Sequence, residues 1–476
     1  MIRRAHVQRS LLEVLLPDGD KLWDEELREI DAVLDDEEIV DLVDAALRRR
    51  RPKSATRGRL GTPVVVVLRM LVLKHRYDWS FAECEREVRG SLVHRAFCRI
   101  DCELVPDAKT LIRLAALLGP ETLKGIVARL VHLARARRVV RGQRLRVDTT
   151  VVETNIHYPT DSSLLADGVR VLTRTMHRIR AEVTDAGLQI RDRTRSLARR
   201  VFEIAQRSRK ATARAGAAGR EQTKARMTTL YRAAMAITRA VVRQADTVMD
   251  TTADTLDLGV QALRDQLRAS VGLVRRVLAQ TRARALKGDT HYPDKVLSLF
   301  EPQTEAIRKG KAAKPTEFGK LVKIQEAEAG LVTDYEVCPR RVPDQELWQP
   351  SLTRHQELFG RPPRLAVADG GFASRDNERF ATELGVDKVV LPRQPGRPAP
   401  HAKPPPPRHR WFRKALRWRT GCEGRISVLK RCHGLRRCRY RGPRGMERWV
   451  GLGVIVNNLR VLGRAGPRAG RKSGKR

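Results

Sequence analysis

Apolar positions recur at helical spacing through residues 10–50, where Leu12, Leu15, Leu16, Leu27, Ile30, Leu34, Val40, Val43 and Leu47 form one stripe. That spacing predicts one or two amphipathic helices. Pro52 to Pro63 reads as a basic linker, and Val64 to Gly119 as short helices broken at Trp79-Ser80, Gly90-Ser91 and Asp101 to Asp107. The segments Ser80 to Gly90 and Pro106 to Leu114 suggest a module of helix-turn-helix type, its last helix capped by Asp107 or Thr110. A packing module without groove contact is the equal alternative.

The period then switches from helical to alternating. Arg144 to Asn155 is rich in β-branched residues and predicts a strand. Leu145, Val147, Thr149 and Val151 fall on one face, Arg146, Asp148, Thr150 and Val152 on the other. Asp148 is thus a lone carboxylate in an apolar strand. Residues 161–288 contain no proline and predict long Arg-rich helices, with breaks near Gly168, Gly187, Gly216 to Gly219 and Gly259. An echo, His157-Tyr-Pro-Thr-Asp161 before this block and His291-Tyr-Pro-Asp294 after it, predicts an insertion whose ends return to one place.

Strand patterns resume at Phe318 to Ala327, Gly330 to Cys338, Arg364 to Ala368 and Asp387 to Leu391, with a helix at Ser374 to Leu384. Asp369 directly follows a strand, where functional groups of α/β sheets collect. Pro392 to Pro407 holds eight prolines and reads as a linker. Arg410 to His433 predicts a helix that buries Trp411, Ala415, Trp418, Cys422, Ile426 and Leu429, while Arg419, Glu423 and Lys430 share another face. Residues 461–476 read as a basic disordered tail.

Charge changes the picture more than composition does. The 476 residues carry 95 Lys+Arg against 55 Asp+Glu, a net +40. Asp18 to Asp44 is locally −11, and its acidic faces are expected to dock on basic parts of the same chain. Residues 161–290 sum to +13, and 391–476 to +23. A field of that size calls for a polyanion, nucleic acid first, because counterion release from phosphate backbones gives affinity without sequence information. A ribosomal or membrane-surface protein is the compositional alternative. The longest apolar runs are too short to span a membrane. The first ten residues lack a signal-like apolar core, and seven scattered cysteines suggest no disulfide framework, so a cytoplasmic, nucleoid-associated protein is expected. Cys422, Cys432, His433 and Cys438 include no Cys-x-x-Cys pair, and no phosphate-binding glycine loop followed by Lys occurs.

An acid within a strand, a second at the end of a later strand and a third on a helix beyond the sheet can converge on hard divalent cations. Two such ions can serve phosphoryl transfer. On these residues the chain resembles bacterial insertion-sequence transposases of the DDE type. The resemblance covers about Leu60 to Leu459, including Asp148-Thr-Thr-Val-Val, Tyr158-Pro-Thr-Asp161, Lys309-Gly-Lys311 with Glu317-Phe-Gly319, and Asp369-Gly-Gly-Phe372. One subgroup carries a Tyr-2-Arg-3-Glu-6-Lys signature. Arg419, Glu423 and Lys430 keep its spacing, while Leu416 takes the Tyr place.

The resemblance implies an α/β fold: an RNase H-like mixed sheet with flanking helices, a large helical insertion and an N-terminal all-helical module. It implies domains at 1–59, 60–141 and 142–460, the last interrupted by 161–288. Asp148, Asp369 and Glu423 would be the catalytic residues and the ligands of two Mg²⁺ or Mn²⁺ ions, with Glu153 and Asp161 as rivals for the first. Arg419 and Lys430 would contact phosphate, and Arg413, Lys414, Arg417 and Arg425 would extend the track along double-stranded DNA. Metal-dependent cleavage and strand transfer at terminal repeats, by a homodimer in the DNA complex, is the implied activity. A metal-dependent nuclease of the same fold and a non-catalytic nucleic-acid-binding protein are the other readings.

Overall fold

The computed structural model describes residues 3–5, 24–49, 61–100, 102–183, 187–210, 217–308, 315–392 and 409–471. The stripe at Leu12 to Leu16, most of the 52–63 linker, Lys309 to Lys311 and the proline-rich segment from 393 lie outside the described residues. The chain forms two compact units, Met1–Asn155 with Ile307–Arg476, and Ile156–Ala306.

The first unit opens with α1 (Glu25–Leu34), α2 (Glu37–Arg48), α3 (Val64–Arg76), α4 (Phe81–Gly90), α5 (Leu92–Phe97), α6 (Ala108–Ala115) and α7 (Pro120–Ala136). Each start has a local cause. Asp24 and Asp36 accept from the backbone N–H three residues on, which satisfies orphan donors of α1 and α2. Ser80 and Glu83 make a reciprocal capping box on α4. Asp107 rather than Thr110 caps α6, accepting from Thr110 N at 2.9 Å. Leaving the helix after its cap, α6 exposes Lys109, Ile112 and Arg113.

The acidic helices dock where charge complementarity predicts. Asp31 and Asp35 take the fully buried Arg69 at 3.0 and 2.6 Å, and Asp36 takes Arg129 at 2.8 Å. Glu26 gathers Arg76, Arg460 and Arg464 at 2.7, 2.7 and 2.9 Å. Burial pushes the Glu26 carboxyl up, but the hydrogen bonds from Arg464 and Arg460 outweigh it and hold the group below the ordinary glutamate value.

After α7 comes β1 (Arg144–Thr154), then the second unit with α8 (Asp161–Glu182), α9 (Thr194–Lys210), α10 (Ala217–Thr251) and α11 (Leu258–Lys287). The chain continues through β2 (Glu305–Arg308), β3 (Thr316–Glu326), β4 (Val332–Val337), α12 (Trp348–Phe359), β5 (Leu365–Val367), α13 (Arg375–Glu383), β6 (Lys388–Val390), α14 (Arg410–Cys432), β7 (Arg437–Cys438) and α15 (Gly442–Arg471). The strands form one mixed seven-stranded sheet of order β2-β3-β1-β5-β6, with β4 also on β3 and β7 also on β1. This is the expected α/β architecture, a mixed sheet with flanking helices, consistent with an RNase H-like transposase fold.

Centrally, β1 runs antiparallel to β3, from Arg146 opposite Glu326 to Glu153 opposite Gly319, and parallel to β5, Arg146 opposite Val367. Its alternation feeds two cores. Leu145, Val147 and Val151 pack with Trp348, Leu352 and Phe372, while Val152 joins Val322 and Ile324 under the helical layer. That second core also holds Leu27, Val67, Leu130 and Trp449, so the helices before residue 141 share a core with the sheet. α15 supplies much of this layer and continues past residue 460, where the sequence pattern suggested a tail, with Leu462 buried. The apolar but Gly-interrupted run Val450 to Leu462 becomes a helix because tertiary burial overrides local propensity. β2, β7, α12 and α15 have no counterpart among the predicted elements; β2 and β7 are too short for an alternation signal.

Two ionic and steric constraints fix this sheet. Glu326, fully buried, receives Arg146 Nε and Nη2 at 2.8 and 2.6 Å. Gly319 faces β1 so closely that a Cβ would lie 2.1 Å from the Val152 carbonyl oxygen.

In the second unit α8 packs against α9, α10 and α11. Leu172 and Met176, Val241 and Val248, and Leu267 and Val274 meet in its own core. Gly168 is not a break, as sequence suggested, but a contact inside α8, where a Cβ would come 2.8 Å from Val274 Cγ2. Arg284 near the end of α11 pairs with Asp161 at the start of α8 at 3.1 Å, which brings the two ends of the bundle together.

Glu326→Gln is expected to cost about 3–5 kcal/mol by stranding a buried guanidinium, read as a fall in the thermal or denaturant midpoint. Gly319→Ala is expected to destabilise strongly by forcing β1 and β3 apart. By contrast Gly272→Ala, on an open helix face with nothing within 4 Å of the added methyl, is expected to stabilise by about 0.4–1 kcal/mol.

Candidate active site

The three carboxylates singled out in the sequence sit on three elements of the first unit. Asp148 lies midway along β1, half-buried, and its Oδ1 accepts from Thr149 N at 2.7 Å. Asp369 follows β5 by two residues, and its Oδ1 accepts from Gly371 N at 2.8 Å, shaping the turn as a short side chain before glycines does. The parallel pairing of β1 with β5, Arg144 opposite Leu365 and Arg146 opposite Val367, ends two residues short of Asp148 and of Asp369.

Glu423 rides on α14, which packs on β1, β5 and β6. Its apolar face, Ala415 with Phe412, Leu416 and Trp418, covers Val367 and Val390. Leu416, in the signature's Tyr place, is therefore a packing residue against the sheet. Trp411, expected in the buried stripe, is 39% exposed, with Lys388 Nζ 5.3 Å from its ring centre. The helix is also pinned electrostatically. Arg146 Nη1 donates to the Trp418 carbonyl at 2.6 Å, its guanidinium lies 4.8 Å from the Trp418 ring, and Arg425 Nε reaches Glu326 at 3.4 Å. Gly421 leaves room for this, since a Cβ there would meet Arg146 Nη1 at 2.3 Å.

Next to Glu423, burial pushes the Cys422 thiol far up, and the charges of Glu326 and Asp148 add to the effect. The Glu423 side chain itself is 62% exposed and accepts from Arg419 at 3.3 Å. Among the described residues no group of three or more His, Cys, Asp or Glu side chains is gathered closely enough to hold a metal ion.

Asp344, which no motif marks, comes close to Asp369 on the Thr149 face of β1, opposite the face that carries Asp148. Its Oδ1 accepts from Thr149 Oγ1 at 3.0 Å, and a Cβ at Gly371 would lie 3.0 Å from Asp344 Oδ2 and 3.1 Å from Asp369 Oδ1. Asp344 and Asp369, with Arg308 and Arg341, line a cleft of about 520 Å³. No sequence signal could find Asp344 or the two arginines, because their segments join β1 and β5 only through the fold.

The basic residues divide. Arg413, Lys414 and Arg417 are exposed on α14, and Arg419 and Lys430 are half-buried. Arg425, expected on the DNA track, instead turns inward to Glu326 and donates to Asn457 Oδ1 at 2.9 Å. The rivals for the first acid are also engaged elsewhere, Glu153 with Arg437 at 3.5 Å and Asp161 with Arg284 at 3.1 Å.

Two known family descriptions match the chain. "Transposase domain (DUF772)" matches residues 12–116, the N-terminal helices, and "Transposase DDE domain" matches residues 295–459, which include Asp369, Glu423, Arg419 and Lys430. Asp148 lies in neither, as does almost all of the helical second unit. No curated protein and no solved structure is detectably similar. Transposase families act on DNA, and DDE domains generally use divalent metals. With one match over the N-terminal helices and the other over β2 to β7 and α14, the chain belongs to the insertion-sequence DDE transposases.

Proposed function

We propose that Asp148, Asp369 and Glu423 are the catalytic carboxylates of a transposase that cuts DNA at the ends of its element and joins the freed 3′-hydroxyl to a target. The observation that supports this reading is that Asp148 lies on β1 and Asp369 two residues past β5, two paired parallel strands on which the helix bearing Glu423 packs.

The donor set consists of carboxylate oxygens, which suits Mg²⁺ or Mn²⁺ rather than zinc. Asp148, Asp369 and Glu423 would hold such ions, Glu423 by turning away from Arg419. Bound divalent ions would supply activation of the attacking oxygen and stabilisation of the leaving one. The chain's own groups do the rest. Arg308 and Arg341 on the rim of the cleft attract the scissile strand, and Asp344 steadies Thr149 beside Asp148. Once Glu423 turns, the Arg419 guanidinium is released to a phosphate, joined by Lys430. Arg413, Lys414 and Arg417 continue the contact along α14, and a homodimer would pair two ends.

The second unit adds to the DNA surface. On α10 Arg232, Arg239 and Arg243 repeat along an exposed stripe with Ala236 between them, and among the described residues none makes an ion pair. Small residues between arginines let a phosphate backbone approach. The exposed arginines of α11 differ, with Arg268 on Asp265 and Arg275 on Asp246 at 2.8 Å each.

One observation favours a binding-only reading: Glu423 points to solvent and pairs with Arg419. The decisive assay incubates the full chain with DNA carrying the element's flanks and Mg²⁺. Asp148→Asn, Asp369→Ala and Glu423→Gln are each expected to abolish cleavage and joining while duplex binding in EDTA persists. Equal activity of these variants and wild type would refute the assignment, and cleaved but never joined products would leave a nuclease. For the second unit, combined Arg232→Ala, Arg239→Ala and Arg243→Ala is expected to lower the slope of log affinity against log salt by about 0.9 per lost phosphate contact. Arg275→Ala, which removes a paired arginine, is expected to leave that slope unchanged.

A further inference from the structure

Away from the carboxylates, a second cavity of about 520 Å³ opens in the first unit between the end of α7, the β3–β4 turn, α14 and α15. Its lining includes Arg137, Arg138, Arg425, Arg460, Arg464 and His433, and no carboxylate. The acids behind it are shared. Glu26 serves Arg76 as well as Arg460 and Arg464, Glu326 serves Arg146 as well as Arg425, and Glu29 reaches Arg137 only at 3.8 Å. Arg76 also reaches Asp24 at 3.3 Å, so seven guanidiniums answer to four carboxylates.

Three further features point inward. His433 is 1% exposed, and its Nδ1 finds no hydrogen-bond partner among the described residues. A buried ring nitrogen left bare is costly unless a ligand or water meets it. Ala329 and Arg138 both line the cavity and both hold left-handed backbone, φ 58° and 55°. Arg138 follows the α7 C-cap, where the backbone N–H of Val139 bonds the Ala134 carbonyl at 2.8 Å, a position that glycine fills without steric cost. Keeping an arginine there puts backbone strain beside an excess of positive charge, and such strain tends to collect where a ligand is held.

We propose that this cavity is a phosphate-binding site separate from the carboxylate cleft, taking either a stretch of DNA backbone or a free phosphoanion. Guanidinium forks suit phosphate oxygens, and the surplus charge would be neutralised on occupancy. The proposal does not depend on the catalytic assignment, since it needs neither divalent metal nor cleavage.

The test measures thermal unfolding of the full chain with pyrophosphate against sodium chloride of equal ionic strength, for wild type, Arg138→Gly and Arg137→Ala. Neither variant removes a close ion pair. Wild type is expected to gain several degrees with pyrophosphate. Arg138→Gly, relieved of strain, is expected to melt no lower than wild type without ligand yet to lose at least half of the pyrophosphate gain, and Arg137→Ala to lose part of it. If the salt slope for a metal-free duplex also falls by about one in Arg138→Gly, the occupant is backbone phosphate. If only the pyrophosphate gain falls, it is a free phosphoanion. An equal gain in all three proteins, or an equal gain with sodium chloride, overturns the proposal.

Discussion

The first unit turns on a buried carboxylate. Glu326 stands at the end of β3, out of reach of water, and two arginines close on it, Arg146 from β1 and Arg425 from α14. Buried ion pairs gain little net stability over a well-packed apolar core, but breaking one is costly. Their worth is geometric. The Arg146 fork locks the β1–β3 register at Arg146 opposite Glu326, and its remaining nitrogen holds the Trp418 carbonyl of α14. One residue pair thus sets both the height of Asp148 in the sheet and the seat of the helix that carries Glu423. Glycines at 319 and 421 let backbone and guanidinium come close enough for this to happen.

Charge is spent on assembly before any is left for DNA. The acidic helices at the start of the chain neutralise arginines of α3, α7 and α15, and thereby attach themselves to the layer over the sheet. What remains is spread unevenly. Among the described residues the exposed arginines of α10 and α14 have no acidic partner of their own, whereas those of α11 are largely paired. A net charge of +40 therefore overstates the surface field in some places and describes it fairly in others.

The candidate site was partly legible. Asp148, Asp369 and Glu423 could be named because each interrupts a local pattern: an acid in a β-branched strand, an acid before Gly-Gly, one of only two acids in the last 86 residues. Arg425 could not be separated from its neighbours, because helical spacing says which residues share a face but not that a buried glutamate from a distant strand claims one of them. Asp344 was invisible for the same reason, as its partner Thr149 is 195 residues away.

By itself the sequence determined the change of period from helix to strand and back, the helix breaks at Ser80 and before Asp107, and the surplus of positive charge. These are local, set by side-chain spacing and by hydrogen bonds within a few residues. The tertiary structure alone decided the strand order, the conversion of Gly168 from an expected break into a helix contact, the helix through the C-terminal Gly-rich run, and the meeting of Asp344 with Asp369. Each of those rests on contacts between residues far apart in the chain, whose energy appears only when the sheet and its covering helices close together.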